Sequence, residues 1–493
     1  MAAASGHRTG RRTPREHAVI AAAVSFLLFA EALIFGGNAT DLALAFAGLW
    51  FVGLAVLLSR PFALPALSQL RLTWVGAAFV AVILAGLSSL TPFAPGGPNP
   101  VWTWVIGARP ATTLDPYLSI AELVKLTGLG AVFLVGVLVG ADDERAKTMV
   151  RWLLGVGLAY SMWAIIDHVA NPNELFGAPR AFGGDRLSAS LGSANTAATF
   201  FGALALINLV ELDRQFRNHK PSGKLDLRRL ERLAPKVALP MTGLATAAAS
   251  LILTLSRGGI SATLAVTVVL VGGGLVMRAK RNAITGPALA TAVVVVGLVL
   301  ASFAMNLGAL QDRLTFLAGD RLIREAIFAA HRSAFEAAPW SGSGLGSFPR
   351  INGMIMSQSN LSALDMLGAT HNVYIQWLEQ AGLIGAAPMF ICIGLIVLKI
   401  LGGVRRRRRM RGFLVGVLGV LAVVLIHGAS DFALEVPAMT VLVSLLLGLA
   451  CGVSGPAPGV ASLGGGAERA SAGDTGSGGG SRRAGTADAG AVS

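Results

Sequence analysis

A histidine and an asparagine stand side by side at His371 and Asn372, where a polar segment changes into an apolar one. The residues that follow are apolar or aromatic at helical spacing: Tyr374, Trp377, Leu378, Ala381 and Leu383. This spacing predicts an amphipathic helix that begins at the membrane surface. Because an imidazole changes charge near neutral pH, His371 is placed to act as a base on a substrate that arrives through the lipid.

Three arginines are candidates for binding an anion. Arg186 opens RLSASLGSANTAATFFG, Arg257 lies in LTLSRGGISA between two apolar runs, and Arg324 lies in DRLIREAIFAAHRSAFEAAP. A guanidinium stays protonated and donates two parallel hydrogen bonds to phosphate oxygens. These residues therefore suit a substrate that carries a phosphate or diphosphate group.

Further polar residues are candidates for supporting roles. Asn372 and Tyr374 flank the start of the helix, Glu379 lies inside it, and Asp431 lies in HGASDFALEVPAMT beside His427. Asp431 is expected to orient a base or pair with an arginine, or else to cap a turn.

Each candidate also has a structural interpretation. His371 is alternatively an interfacial residue, Asn372 a helix start, and Arg257 an arginine whose stem lies in lipid. His331 is expected to be a surface residue of its helix, and Arg324 shares that helix with two other arginines.

The elements that must position these residues are membrane helices. The chain has 493 residues, 54% hydrophobic and 13% charged, and its mean hydropathy is +0.66. Apolar runs recur along almost the whole length, which predicts an all-α polytopic membrane protein. We expect twelve transmembrane helices at about 17–36, 41–59, 72–91, 117–140, 149–168, 190–211, 237–255, 259–277, 285–305, 373–400, 413–429 and 437–454.

The formal net charge of +14 is explained by topology. With the N-terminus inside, every cytoplasmic segment is basic: Arg8 to Arg15, Arg60 and Arg71, Arg145 to Arg151, Arg214 to Lys236, Arg278 to Arg281, and Arg405 to Arg411. This follows the positive-inside rule and predicts cytoplasmic termini. The basic excess is therefore mainly a topology signal, with contact to anionic lipid as a second interpretation, and it does not require nucleic acid.

The predicted domains are a basic cytoplasmic N-terminus at 1–16, a membrane domain at 17–454 and a disordered cytoplasmic tail at 455–493. A long periplasmic loop at 306–372 contains an amphipathic helix that starts near Asp320 and ends before Pro339. The two cysteines, Cys392 and Cys451, fall within predicted spans and indicate neither a disulfide framework nor a zinc site.

Three motifs occur in order on the predicted outer face: SRGG at Ser256, the Arg324-to-Pro339 spacing followed by GSGLGSF, and HNVYIQWLEQAGLIG. Together they resemble the O-antigen ligase and polymerase superfamily, over about 186–452. The resemblance implies the fold of lipid-linked glycosyltransferases in the bacterial inner membrane, with a site that faces the periplasm. Phe328 stands where the family usually has tryptophan in the Arg324 helix.

The resemblance implies transfer of a glycan from undecaprenyl diphosphate to a hydroxyl. Arg257, Arg324 and Arg186 would bind the diphosphate, and His371 would take the proton of the acceptor as it attacks. We expect inversion at the anomeric carbon and neither a cofactor nor a metal. The acceptor is left open between lipid A-core, a second glycan and a protein hydroxyl, so both ligase and polymerase fit.

Two other function classes remain as alternatives. A transporter or flippase of lipid-linked oligosaccharide would have related halves and polar residues near mid-membrane. Here the halves differ and the polar residues lie at one face, which favours an enzyme. A scaffold without activity would leave the outer arginines and His371 unexplained.

Overall fold

The computed structural model describes residues 14–180, 185–218, 227–279 and 317–455, together with residue 297. Several predictions fall outside these residues: most of the N-terminal segment, almost all of the ninth span at 285–305, the first part of the periplasmic loop, and the tail after 455.

The described residues form helices joined by short connections. In chain order these are α1 Pro14–Leu33, α2 Thr40–Leu58, α3 Ala63–Leu70, α4 Thr73–Ser89, α5 Pro116–Gly140, α6 Asp143–Ala170, α7 Ala194–Asn218, α8 Leu227–Leu253, α9 Arg257–Ala279, α10 Leu317–Ala337, α11 Phe348–Ile355, α12 Leu361–Leu364, α13 Val373–Arg406, α14 Arg411–Gly428 and α15 Pro437–Val453. Strands β1 Glu174–Leu175 and β2 Ala178–Pro179 form a small antiparallel hairpin.

Within the described residues, nine helices are long and apolar enough to cross a membrane. The pair α3 and α4, bent by 94°, makes a tenth candidate, and α15 is a shorter apolar helix. A helix thus matches each of the predicted spans except the undescribed ninth. The prediction of an all-α, multi-pass membrane protein is confirmed. We call the side predicted to face the periplasm the outer side.

Helices α5 and α15 pack with their backbones in contact. Gly136 and Gly140 on α5 face Gly448 and Gly452 on α15. A Cβ on Gly448 would lie 2.1 Å from the Phe133 carbonyl oxygen, so no larger residue fits without a shift. Small residues four apart are a common device for close helix contact in membranes. They fasten the last helix to the N-terminal half.

Helix α13 is broken at Gly382, whose φ of 58° and ψ of −174° are not helical. The chain segment 339–346 packs into this break. It makes four backbone hydrogen bonds with α13: Ser343 N to Glu379 O and Gly344 N to Gln380 O, both 2.9 Å, Leu383 N to Pro339 O at 2.8 Å, and Ile384 N to Trp340 O at 3.0 Å. The polar groups freed by the break are therefore paired, as burial requires. The break separates a short outer part of α13 from its membrane part.

Candidate functional site

The turn between α8 and α9 holds the SRGG motif. Leu255 has a φ of 49°, which reverses the chain between the two helices. Ser256 Oγ lies 3.4 Å from the backbone N–H of Gly259 and donates a hydrogen bond of 2.9 Å to Asn195 Oδ1. Arg257 is the first residue of α9 and is partly buried. The SRGG motif thus starts a helix with an arginine at its outer end.

Arg186 lies at the same turn, although it is far from it in the chain. Its Nε donates to the carbonyl of Thr254 at 3.1 Å, and its Nη2 donates to Asn195 Oδ1 at 3.0 Å. The backbone N–H of Leu187 donates to the carbonyl of Leu253 at 2.9 Å. The structure therefore brings two of the three predicted arginines, Arg186 and Arg257, to one hairpin.

The two glycines of this motif make room for a histidine from α14. A Cβ on Gly258 would lie 2.8 Å from both Cδ2 and Nε2 of His427, and one on Gly259 would lie 2.5 Å from Ala198 Cβ. His427 is buried, and a 2.8 Å hydrogen bond joins its Nδ1 to Thr199 Oγ1. The Thr199 hydroxyl donates to the carbonyl oxygen of Asn195 at 3.3 Å. It therefore accepts the hydrogen bond from His427 Nδ1. This favours the tautomer with a lone pair on Nε2 beside Gly258.

Asp431 is fully buried four residues after His427. Its Oδ2 lies 3.9 Å from His427 Nδ1, and neither of its oxygens has a hydrogen-bond partner within the described part of the chain. A buried carboxylate without hydrogen bonds is unfavourable unless cations or donors lie nearby. The charge of Asp431 acts on the neighbouring His371.

Arg324 reaches this turn from α10. Its Nη1 donates to the carbonyl oxygen of Ser430 at 3.0 Å, and its side chain is exposed. Arg332, eight residues later on the same helix, instead forms an exposed pair with Glu336 at 2.9 Å. The contact with Ser430 distinguishes Arg324 from Arg332. The sequence alone does not distinguish them.

Asn372 fixes the start of α13 and ties it to the same turn. Its Oδ1 accepts from the N–H groups of Tyr374 and Ile375 at 3.0 and 3.2 Å, as expected of an N-cap. Its Nδ2 donates to the Ala429 carbonyl at 3.1 Å. Tyr374 donates from its hydroxyl to the Leu425 carbonyl at 2.7 Å, which joins α13 to α14. The structural interpretation of Asn372 is confirmed, and its second bond positions its neighbour His371.

His371 is half-buried and has a φ of 55°, a left-handed conformation uncommon for a residue other than glycine. Its ring meets Phe432 edge to face, with 4.8 Å between ring centroids. Its Nδ1 is buried and has no hydrogen-bond partner within the described ranges.

Burial lowers the pKa of His371 below the usual value of 6.5. The charge of Asp431 opposes this effect, and that of Arg324 adds to it. His371 is therefore neutral at pH 7 and has a free lone pair. A backbone held in an unusual conformation beside a buried ring nitrogen is typical of a functional position.

Glu379 lies apart from these residues and has a buried partner. Its Oε2 is 2.7 Å from His331 Nδ1, and both side chains are fully buried. The His331 ring stacks on Phe348 at 5.1 Å. The prediction that His331 is a surface residue is wrong, because His331 is buried against Glu379 of α13. The pair instead attaches α10, which carries Arg324, to the outer part of α13.

Arg180 was not singled out from the sequence. It forms an ion pair with Asp167 at the outer end of α6, and its Nη1 donates to Ser188 Oγ at 3.1 Å. These contacts hold the chain on both sides of Arg186. No local sequence signal marks Arg180, because its partner depends on how the loop folds back.

Three separate segments thus meet at the turn from His427 to Phe432. Gly258 contacts His427, Asn372 contacts Ala429, Arg324 contacts Ser430, and His371 contacts Phe432. The described residues include no group of three or more His, Cys, Asp or Glu side chains that could hold a metal ion. The arrangement is a cationic and imidazole-bearing site at the outer ends of α9, α13 and α14.

Part of the chain matches a known protein family. Residues 242–390 match the family model described as O-antigen ligase. This range covers the SRGG turn, α10 and the first part of α13, and it ends before His427. No curated protein matches the chain.

Proposed function

Because residues 242–390 match the family model described as O-antigen ligase, we propose that this chain transfers a glycan from undecaprenyl diphosphate to a hydroxyl acceptor at the outer face of the bacterial inner membrane. The observation that carries the proposal is the convergence of Gly258, Asn372, Arg324 and His371 on the turn from His427 to Phe432. The site lies at helix ends, where a lipid-borne donor would meet an acceptor at the membrane surface.

The arginines bind the diphosphate of the donor. Arg186 and Arg257 lie at the α8–α9 turn, and Arg324 reaches from α10 to the Ser430 carbonyl oxygen. When the bond from the anomeric carbon to oxygen breaks, negative charge grows on the departing diphosphate. Fixed guanidinium groups stabilise that charge in a site with little water, which lowers the barrier.

His371 acts as the base. The acceptor oxygen attacks the anomeric carbon, the new glycosidic bond forms, and the bond to the diphosphate oxygen breaks with its electron pair leaving on the diphosphate. The hydroxyl proton passes to the free lone pair of His371. Because its pKa is lowered by burial, His371 is unprotonated at neutral pH and ready to accept that proton. Attack from the face opposite the diphosphate inverts the anomeric carbon.

Asp431 orients the charges of the site. Its carboxylate lies 3.9 Å from His427 Nδ1 and acts through space on His371. It favours the imidazolium that forms when His371 accepts the proton. Tyr374 and Asn372 position His371 through their bonds to α14 and its outer end. Glu379 has a positioning role, since it joins α10 to α13 through His331.

The proposal is tested by deleting the gene and restoring wild type, His371→Ala or His168→Ala. His168 is a suitable control because it lies at the end of α6, outside the site. Lipopolysaccharide, secreted polysaccharide and the pool of lipid-linked glycan are measured together. We expect His168→Ala to restore the wild-type pattern and His371→Ala to resemble the deletion, with both proteins present in the membrane.

The accumulated product identifies the acceptor. Long chains on undecaprenyl diphosphate, together with lipid A-core that lacks glycan, indicate a ligase. Single repeat units and absent long polymer indicate a polymerase. If none of the pools changes on deletion, the proposal that the protein transfers a glycan to lipid A-core or to a polysaccharide is wrong.

A further inference from the structure

An apolar cleft lies between α7, α8 and α9, directly beneath the SRGG turn. Its cavity volume is about 50 Å³, and about 550 Å³ of unfilled space is counted when its open side is included. Of the ten described residues that line it, eight are apolar and two are threonines. The cleft exists because α8 and α9 each pack on α7 but have few direct contacts with one another. The two helices therefore diverge below their connecting turn.

The cleft runs along α9 from the level of the arginines. Ile260, Leu264 and Thr267 line it, and they follow Arg257 at intervals of three, seven and ten residues, which places all four on one face of the helix. At 1.5 Å per residue, the lining from Ile260 to Thr267 extends for about 10 Å. Arg257 thus stands at the outer end of the same face.

The opposite walls contain small residues. Ala248 and Leu251 on α8 and Ala205 on α7 line the cleft, and all three are buried. The two alanines keep the side chains of these walls short, which leaves space beside Ile260 and Leu264. Arg186, bonded to the Thr254 carbonyl, adds a second cation above the turn.

We infer that this cleft binds the isoprenyl units nearest the diphosphate of a polyprenyl diphosphate. An apolar channel that begins one helical turn below Arg257 is complementary to an anionic head followed by one long apolar chain. Burial of that chain supplies affinity that does not depend on the glycan. This inference rests on the proposed function, because it assigns the diphosphate of the donor to Arg257.

The first experiment is photo-crosslinking of the full-length protein in lipid nanodiscs. The probe is geranylgeranyl diphosphate that carries a diazirine in its first isoprenyl unit. We expect labelled peptides to come from the α8–α9 hairpin, and we expect undecaprenyl diphosphate to compete more strongly than phosphatidylglycerol. Labelling confined to other helices, or equal competition by phosphatidylglycerol, would overturn the assignment.

Two neighbouring alanines provide a matched pair of variants. Ala248→Phe fills the cleft, whereas Ala249→Phe adds the same ring to an exposed position of the same helix. We expect Ala248→Phe to reduce labelling of the hairpin about tenfold, and Ala249→Phe to change it by less than about twofold. Equal labelling of both variants would contradict the inference. If Ala248→Phe does not fold, the positions of the labelled peptides in the wild type still test whether the cleft binds the isoprenyl chain.

A transfer assay with the wild type separates this inference from the proposed function. Labelling of the hairpin without glycan transfer would support the cleft and contradict the glycosyltransferase. Transfer without labelling of the hairpin would support the glycosyltransferase and contradict the assignment of the cleft. Both results together support a donor whose chain leaves the site along α9.

Discussion

Gly258 lies so close to His427 that a Cβ on it would be 2.8 Å from the imidazole Nε2. The contact joins the SRGG turn, which carries Arg257, to the outer end of α14, which continues into Asp431. Cβ atoms almost never approach a side chain this closely, so either the ring or the turn would have to move. The glycine therefore sets the distance between the arginines of the hairpin and the turn that Arg324 and Asn372 contact.

Gly258→Ala is expected to reduce transfer about tenfold or more, because overpacking of this kind typically costs about 1–3 kcal/mol and displaces the groups on either side. Gly272→Ala on the same helix is the control, since a Cβ there would meet nothing within 4 Å. Initial rates of transfer and the amount of folded protein are measured for both. Equal activity of the two variants would show that the close contact is not needed for the site.

Arg324→Gln is expected to reduce turnover about 10²-fold, as loss of a fixed donor to a developing anion typically does. Arg332→Gln provides the control, because Arg332 lies on the same helix but pairs with Glu336 at an exposed position. Turnover is measured at saturating donor. If Arg332→Gln is as damaging as Arg324→Gln, the contact with Ser430 does not identify the functional arginine.

Arg257→Lys is expected to raise the donor KM and lower turnover, together about tenfold or more. Lysine keeps the charge but loses the planar pair of donors that fits a diphosphate. Steady-state kinetics over a range of donor concentrations give both parameters. Kinetics identical to wild type would remove Arg257 from the diphosphate site.

The pH dependence of transfer reports on His371. Since burial lowers its pKa below 6.5, the neutral base persists below that pH, and activity should fall only as pH drops through the lowered value. Asp431 raises this pKa and Arg324 lowers it. Asp431→Asn should therefore move the acidic limb of the kcat/KM profile to lower pH, and Arg324→Gln should move it to higher pH. Shifts in the same direction in both variants would exclude His371 as the titrating group.

Gly382→Ala is expected to destabilise the protein by about 1–3 kcal/mol or more. Its φ of 58° and ψ of −174° suit glycine alone, and a Cβ there would lie 2.3 Å from the Trp340 carbonyl oxygen. Gly394→Ala, later in α13, is the control because a Cβ there meets nothing within 4 Å. The Tm of each variant is measured from thermal unfolding that is monitored by size-exclusion chromatography. A Tm for Gly382→Ala equal to that of the control would show that the break tolerates a side chain.

The positions of the membrane helices could be predicted from hydrophobicity. A helix that crosses the lipid needs about twenty mainly apolar residues, and such a run can be recognised from consecutive residues in the sequence. Side-chain spacing likewise identified the helix that carries Arg324 and the N-cap at Asn372, since both depend on residues only a few positions apart. The charge bias between loops predicted an orientation for the same reason.

Only the tertiary structure decided which polar residues meet. Ser430 lies 106 positions from Arg324, and Thr199 lies 228 from His427, so no local pattern links them. The same holds for His331, whose partner Glu379 comes from another helix and brings it into the interior. Pairing across such separations depends on how whole helices pack. In this chain that packing depends on contacts such as the glycine faces of α5 and α15 and the break at Gly382.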